Sequence, residues 1–260
     1  MDKIKYVNHL GETLELRQGD IWCNYKDLKT FVQTLSNGRL VASAQKSTLL
    51  FLCLNAEAAN KLIDVLDVDN IANKYGKFYI NDWYIKIMCQ GLPDVIAEGN
   101  GFVKINLTFA AEETIFTKEN EYILSPKEKI ENVYRNYPRN YPSNYGADAV
   151  SSSSVENTQR MEADFILRLS AASALVSVSI DSNLYEVEAA INEGETFVLN
   201  TQDREVYKET IQGKVNLFGA ASDDSYIFNT ISKGVHRVAW TGDFTLYLTV
   251  LEHRRTPPWI

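Results

Sequence analysis

Basic charge is scarce in this 260-residue chain: 26 Lys and Arg stand against 34 Asp and Glu, a net charge of −8. A surface with that balance lacks the cations that neutralise phosphate, so no nucleic-acid affinity is expected. Cysteine is equally sparse. Cys23, Cys53 and Cys89 form an odd set without C-x-x-C spacing, which supports neither a disulfide framework nor a zinc knuckle and leaves buried free thiols. The longest strongly apolar run, Leu49 to Leu54, falls far short of the ~20 residues a membrane helix requires. No bilayer span is expected. Met1 to Leu16 interrupts its apolar residues with Asp2, Lys3, Lys5, His9 and Glu12 and so offers no h-region, which makes cytoplasmic synthesis the expectation.

Groups that carry chemistry are also few. The three histidines, His9, His236 and His253, show no metal-ligand spacing, and no G-x-S-x-G elbow or phosphate-cradling glycine loop occurs. Each histidine is therefore read as structural or superficial. The carboxylate pairs Glu112-Glu113, Glu186/Glu188, Glu193/Glu195 and Asp223-Asp224 are what any acidic protein offers, and two strand residues two apart simply share a face. Asp67-Val68-Asp69-Asn70 superficially resembles a calcium loop, but Ala72 replaces the turn glycine and Phe78 stands where the twelfth-position Glu should be. The sequon Asn106-Leu107-Thr108 falls inside a strand pattern and reads as chance. No catalytic residue, metal site or cofactor is expected, and the chain is read as a protein that is not an enzyme.

What the sequence does have is an ordinary globular composition, 45% hydrophobic and 23% charged, enough to bury a core. Leu14 and Leu16, then Val103, Ile105, Leu107 and Phe109, alternate as half-buried strands. In KFYINDWYIKIM, Asn81-Asp82 separates two alternating runs and predicts a tight hairpin bracketed by Gly76 and Gly91. One helix is expected, capped by Asn55 and carrying a stripe of Leu62, Ile63 and Leu66 that covers a sheet face. Residues 27–38 fit either a helix or extended chain, and Asn37-Gly38 followed by Arg39 tilts the reading to a hairpin. Beyond the middle of the chain, Phe165/Leu167/Leu169, Val176/Val178/Ile180 and Phe244/Leu246/Leu248/Val250 alternate, with turn residues at roughly ten-residue intervals. That spacing predicts an antiparallel β-sandwich. The Asn-, Pro-, Tyr- and Ser-rich stretch 136–155 reads as a linker between domains at 1–135 and 156–260, with net charges of −2 up to Arg135 and −6 after it. Trp259, after Pro257 and Pro258, reads as a docked C-terminal anchor.

Several segments, in order, resemble one family, the distal tail (Dit) proteins of long non-contractile-tailed bacteriophages. They are KYVNHLGETLEL from Lys5, LNAEAANKLIDVLDVDN from Leu54, GKFYINDWYIKI from Gly76, NYPRNYPSNY from Asn136, DFILRLSAASALVSVSIDSNLYEV from Asp164, GETFVLNTQDREVYK from Gly194 and YIFNTISKGVHRV from Tyr226. The ending Glu252-His253-Arg254-Arg255-Thr256-Pro257-Pro258-Trp259 is also similar. The resemblance implies a mostly β protein of two domains. An N-terminal β-rich domain with a covering helix would form a hexameric ring, and a galectin-like or carbohydrate-module-like sandwich would face outward. It implies a hub at the virion tail tip, of a phage or a prophage, that joins the tail tube protein to the tail-associated tip protein and, in some phages, to receptor-binding proteins. DNA would pass through such a ring without being held, and part of the −8 would face the lumen. The hairpin at Asn37, Gly38 and Arg39 is the candidate subunit arm. The rival reading is a carbohydrate-binding adhesion module gripping host-wall saccharide through aromatics such as Tyr226 or Trp240.

Overall fold

The computed structural model describes residues 3–25, 28, 34–36, 39–41, 45–97, 101–111, 113, 115–126, 150–170, 173 and 175–256. The chain groups into two compact units, Met1–Lys118 with His253–Ile260, and Glu119–Glu252.

The first unit holds β1 (Ile4–Val7), β2 (Thr13–Glu15), β3 (Ile21–Cys23), β4 (Thr34–Ser36), β5 (Arg39–Val41), β6 (Gln45–Cys53), helix α1 (Ala56–Ala72), β7 (Gly76–Ile80), β8 (Trp83–Ala97) and β9 (Val103–Ala111). The expected hairpin forms: β7 pairs antiparallel with β8 from Gly76↔Ile87 to Ile80↔Trp83, leaving Asn81-Asp82 as the loop. Asn81 takes φ 57°, a conformation asparagine tolerates because its short polar side chain bonds locally. Its Oδ1 accepts from the Lys3 N–H at 3.0 Å, which ties the turn to the start of β1. The fifteen residues of β8 reach further and pair with β9 from Ile87↔Ala111 to Ala97↔Val103, with a bulge between Gln90 and Asp94. Gly91 sits in that bulge at φ 77°, where a side chain would be strained.

Helix α1 begins as its sequence predicts: the Asn55 side chain accepts from the Ala58 N–H at 2.7 Å, satisfying one of the unpaired donors of the first turn. Ala58, Ala59, Leu62 and Leu66 are buried and pack with Leu49, Phe51, Ile105 and Leu107 in one core. Each large aliphatic side chain removed from water there contributes about 1.5–3 kcal/mol. Ile63, expected in the stripe, is only partly buried, and the stripe instead runs on to Asp69. The hairpin expected after residue 27 is present as β4 and β5, registered Thr34↔Val41 to Ser36↔Arg39.

The second unit holds β11 (Val150–Asn157), β12 (Asp164–Leu169), β13 (Val176–Ile180), β14 (Asn183–Val187), β15 (Thr196–Asn200), β16 (Glu205–Thr210), β17 (Gly213–Asn216) and β18 (Gly234–Thr241). Two strands cross the division of the chain, β10 (Phe116–Leu124) and β19 (Leu246–Arg254). One sheet runs β17-β16-β15-β12-β19 and the other β11-β18-β13-β14, with every pairing antiparallel. Inward residues of both, among them Phe165, Leu167, Val178, Val238, Trp240, Leu248 and Val250, share one core. This is the face-to-face arrangement the alternation predicts.

Two expectations are corrected here. Val150–Val155, the end of the stretch read as linker, is strand: all eight residues of β11 pair with β18, from Val150↔Thr241 to Asn157↔Gly234. Four serines have low strand preference, but a partner strand that offers a complete ladder of backbone hydrogen bonds overrides it. Residues 136–149 lie outside the described ones. Trp240 is no surface aromatic. It is 2% exposed, and its Nε1–H donates to the Phe244 carbonyl at 3.1 Å.

Candidate functional site

The most constrained polar cluster in the first unit centres on Asp69. Its carboxylate is fully buried and accepts three hydrogen bonds: from the Tyr6 hydroxyl to Oδ2, from the His9 backbone N–H to Oδ1 at 2.8 Å, and from His9 Nδ1 to Oδ1 at 2.6 Å. Burial and the neighbouring carboxylate push the Tyr6 hydroxyl far above its ordinary pKa, so it stays a donor. Gly76 is part of this arrangement. A Cβ there would stand 2.1 Å from Tyr6 Oη and 2.4 Å from Asp69 Oδ2. No basic residue lies in the last turn of α1, so the helix dipole opposes a carboxylate at this end, and tertiary bonds hold it. Asp69 therefore clamps the helix to the β1–β2 segment.

The sheet formed by β3, β6, β9 and β8 is covered by α1 on the face carrying Ile21, Cys23, Phe51 and Ile105. Its opposite face is open to solvent. There the registers Trp22↔Leu52, Leu52↔Lys104 and Lys104↔Ile96 set one row across four strands, and Leu50↔Asn106↔Asp94 the next. Trp22, Leu50, Leu54 and Ile96 are all more than a third exposed, and Leu92 in the bulge is 95% exposed. Apolar side chains collected on one open face mark an interaction surface more often than isolated ones do.

In the second unit, His236 on β18 is buried and faces two acceptors. Nδ1 lies 2.6 Å from Asp181 Oδ2 and Nε2 2.8 Å from the Ser232 carbonyl. Asp181 Oδ1 also accepts from the Arg237 N–H at 2.8 Å. These bonds hold the Asp181 carboxyl below its ordinary pKa, the His236 hydrogen bond contributing most. The pair sits at the wall of a polar cleft of about 370 Å³ with Glu162, Asn183 and Asn229.

Of the residues singled out in the sequence, Asn37, Gly38 and Trp259 lie outside the described ones, and Arg39 opens β5. The three cysteines are buried free thiols. Glu195 pairs with Lys208 at 2.9 Å rather than with Glu193, and Asp223 and Asp224 are exposed. Among the described residues, no three His, Cys, Asp or Glu side chains are placed to hold a metal ion, and no helix is long and apolar enough to cross a membrane. Asp69 and His236 were the missed polar centres. Both left a signal: a polar residue at a position the periodicity assigns to the core, Asp69 three after Leu66 and His236 in step with Val238 and Trp240.

No known family profile matches the chain, and no curated protein matches it by sequence. Solved structures do. A chain of the phage P2 baseplate, in its activated conformation with calcium, aligns over 98% of this chain and 99% of its own at 12% identity and a TM-score of 0.58. The same baseplate with strontium gives the same values. The fold is that of a phage baseplate chain. The SPP1 Dit protein, described as a paradigm of the hub adsorption apparatus of phages infecting Gram-positive hosts, also aligns over 98% of this chain and 99% of its own. There the identity is 10% and the TM-score 0.46. Within the first unit, the open face of β3-β6-β9-β8 and the β4–β5 hairpin are the candidate contact elements.

Proposed function

We propose that this chain is a structural hub of a phage or prophage tail tip, closing as a hexameric ring between the tail tube protein and the tail-associated tip protein, with receptor-binding proteins at its side in some particles. The likeness to a phage baseplate chain over nearly the full length of both carries this reading. The open face of β3-β6-β9-β8 supports it, because each protomer of a cyclic ring presents two different patches, one of which covers the other on its neighbour. The β4–β5 hairpin, registered Thr34↔Val41 to Ser36↔Arg39, is the arm that reaches across. A net charge of −8 lets DNA leave through the centre, since acidic walls repel phosphate.

Deleting the gene from its phage or prophage and imaging the particles tests the role. Tails should lack their tip, and intact tips without this chain would overturn it. Light scattering on purified protein mixed with its tube and tip proteins should show six copies per complex. Trp22→Glu with Ile96→Glu should reduce that to single copies while circular dichroism stays unchanged.

A further inference from the structure

The open sheet face of the first unit changes character along its length. At the β3 end it is apolar, with Trp22, Leu50 and Ile96. Towards the start of β8 it turns basic. Lys77 and Lys86 stand directly opposite each other in the β7–β8 pairing, and Lys46 lies one row further on, across Ala110 from Met88. Lys5 and Lys104 point the same way, since their strand neighbours Ile4, Tyr6 and Ile105 are the buried ones. Against these lysines the described strand residues of that face set only Glu15, opposite Lys5, and Asp94, opposite Asn106. Such a face is unexpected in a chain of net charge −8. Like charges directly opposite on a sheet are destabilising, so the Lys77–Lys86 pair costs stability unless carboxylates lie beside it.

The other side of the same layer has the opposite sign. Helix α1 buries Ala58, Ala59, Leu62 and Leu66 and leaves Glu57, Asp64 and Asp67 exposed, with Lys61 its one base. Ile71, near its end, is 87% exposed. The spacings agree as well as the signs. Asp64 and Asp67, three apart on a helix, have Cβ atoms about 5–6 Å apart, close to the roughly 5 Å between directly opposite Lys77 and Lys86. Glu57 lies two turns from Asp64, about 10 Å, and Lys46 lies two strands and two residues from Lys86, about 12 Å. We propose that the basic end of this sheet face receives the acidic outer side of α1 from a second copy of the chain, Asp64 and Asp67 seated on Lys77 and Lys86 and Glu57 beside Lys46. Each copy then uses both patches once, head to tail, as a cyclic assembly requires. The pairing rests on the hub reading only in needing two copies side by side.

Sedimentation velocity on the full chain, alone and with its tube and tip proteins, tests the pairing through charge reversal. Lys77→Glu with Lys86→Glu should weaken self-association about tenfold or more, and so should Asp64→Lys with Asp67→Lys. The helix substitutions place cations towards the C-terminal end of α1, where the dipole favours them, so lost association does not reflect a lost helix. A chain carrying all four changes should recover, because both patches have exchanged sign. In mixed isotope-labelled and unlabelled protein, zero-length carbodiimide cross-linking should join Lys77 or Lys86 of one copy to Asp64 or Asp67 of another. Association indifferent to the helix pair, or no recovery in the fourfold variant, would overturn the inference and leave the hub role standing, as an acidic partner protein on the lysines would do. Intact tail tips after deletion of the gene, with the cross-link still formed, would overturn the hub role and leave this pairing standing.

Discussion

Among the described residues, each unit has an aspartate–histidine pair at 2.6 Å, and the two pairs are built in opposite ways. In the first unit the carboxylate of Asp69 is the buried member and His9 retains some exposure; in the second the imidazole of His236 is buried and Asp181 is half exposed, at 49%. A charge taken wholly out of water must be compensated by every bond available, and Asp69 has three donors to do so. A carboxylate left in water needs its partner less. The same contact distance therefore implies different contributions to stability, and the exposure of the charged group decides which pair matters more.

Asp69→Ala breaks the comparison where it is strongest. It strands the Tyr6 hydroxyl and the His9 N–H, and the first unit should lose about 3–5 kcal/mol in denaturant unfolding. A loss below about 1 kcal/mol would mean the carboxylate is not the clamp. Gly76→Ala tests the same cluster from the other side: its Cβ meets Tyr6 and Asp69, and overpacking of this kind should lower stability by about 1–3 kcal/mol. Asp181→Ala, by contrast, should cost about 1 kcal/mol or less, measured in the same unfolding experiment.

Acid sharpens the contrast further. The folded pKa of Asp181 is depressed, so its contribution is complete above the ordinary carboxylate value of about 3.8 and disappears as pH falls through the lower folded value. Melting temperatures of the wild type and Asp181→Asn should therefore differ at pH 5 and converge towards pH 2. The smallest effect is a labelling one. Burial pushes the Cys89 thiol up to about 11, so iodoacetamide at pH 8 should leave it unmodified in the folded protein. Mass spectrometry should detect its labelling earlier in Asp69→Ala than in Asp181→Ala, because Cys89 belongs to the core that Asp69 clamps.

The elements legible in the sequence are those whose information is local. Asn55 caps α1, Asn81-Asp82 turns β7 into β8, and strict alternation marks Phe165–Leu169 and Val176–Ile180 as strands. Val150–Val155 was not legible, because what makes four serines a strand is the partner β18, more than eighty residues on. Asp69 was legible only as an irregularity in an apolar stripe. Its role depends on Tyr6 and His9, sixty residues earlier.

Composition and short-range pattern alone determined that this is an acidic, β-rich protein with one capped helix, buried thiols and no spacing of residues suited to hydrolysis or metal binding. Backbone preference and side-chain alternation act over a few residues and are written directly in the chain. Tertiary structure decided which polar groups lose their water, which sheet face stays uncovered and which aromatics remain exposed. Those outcomes depend on distances between residues far apart in sequence, and only the packed chain sets such distances.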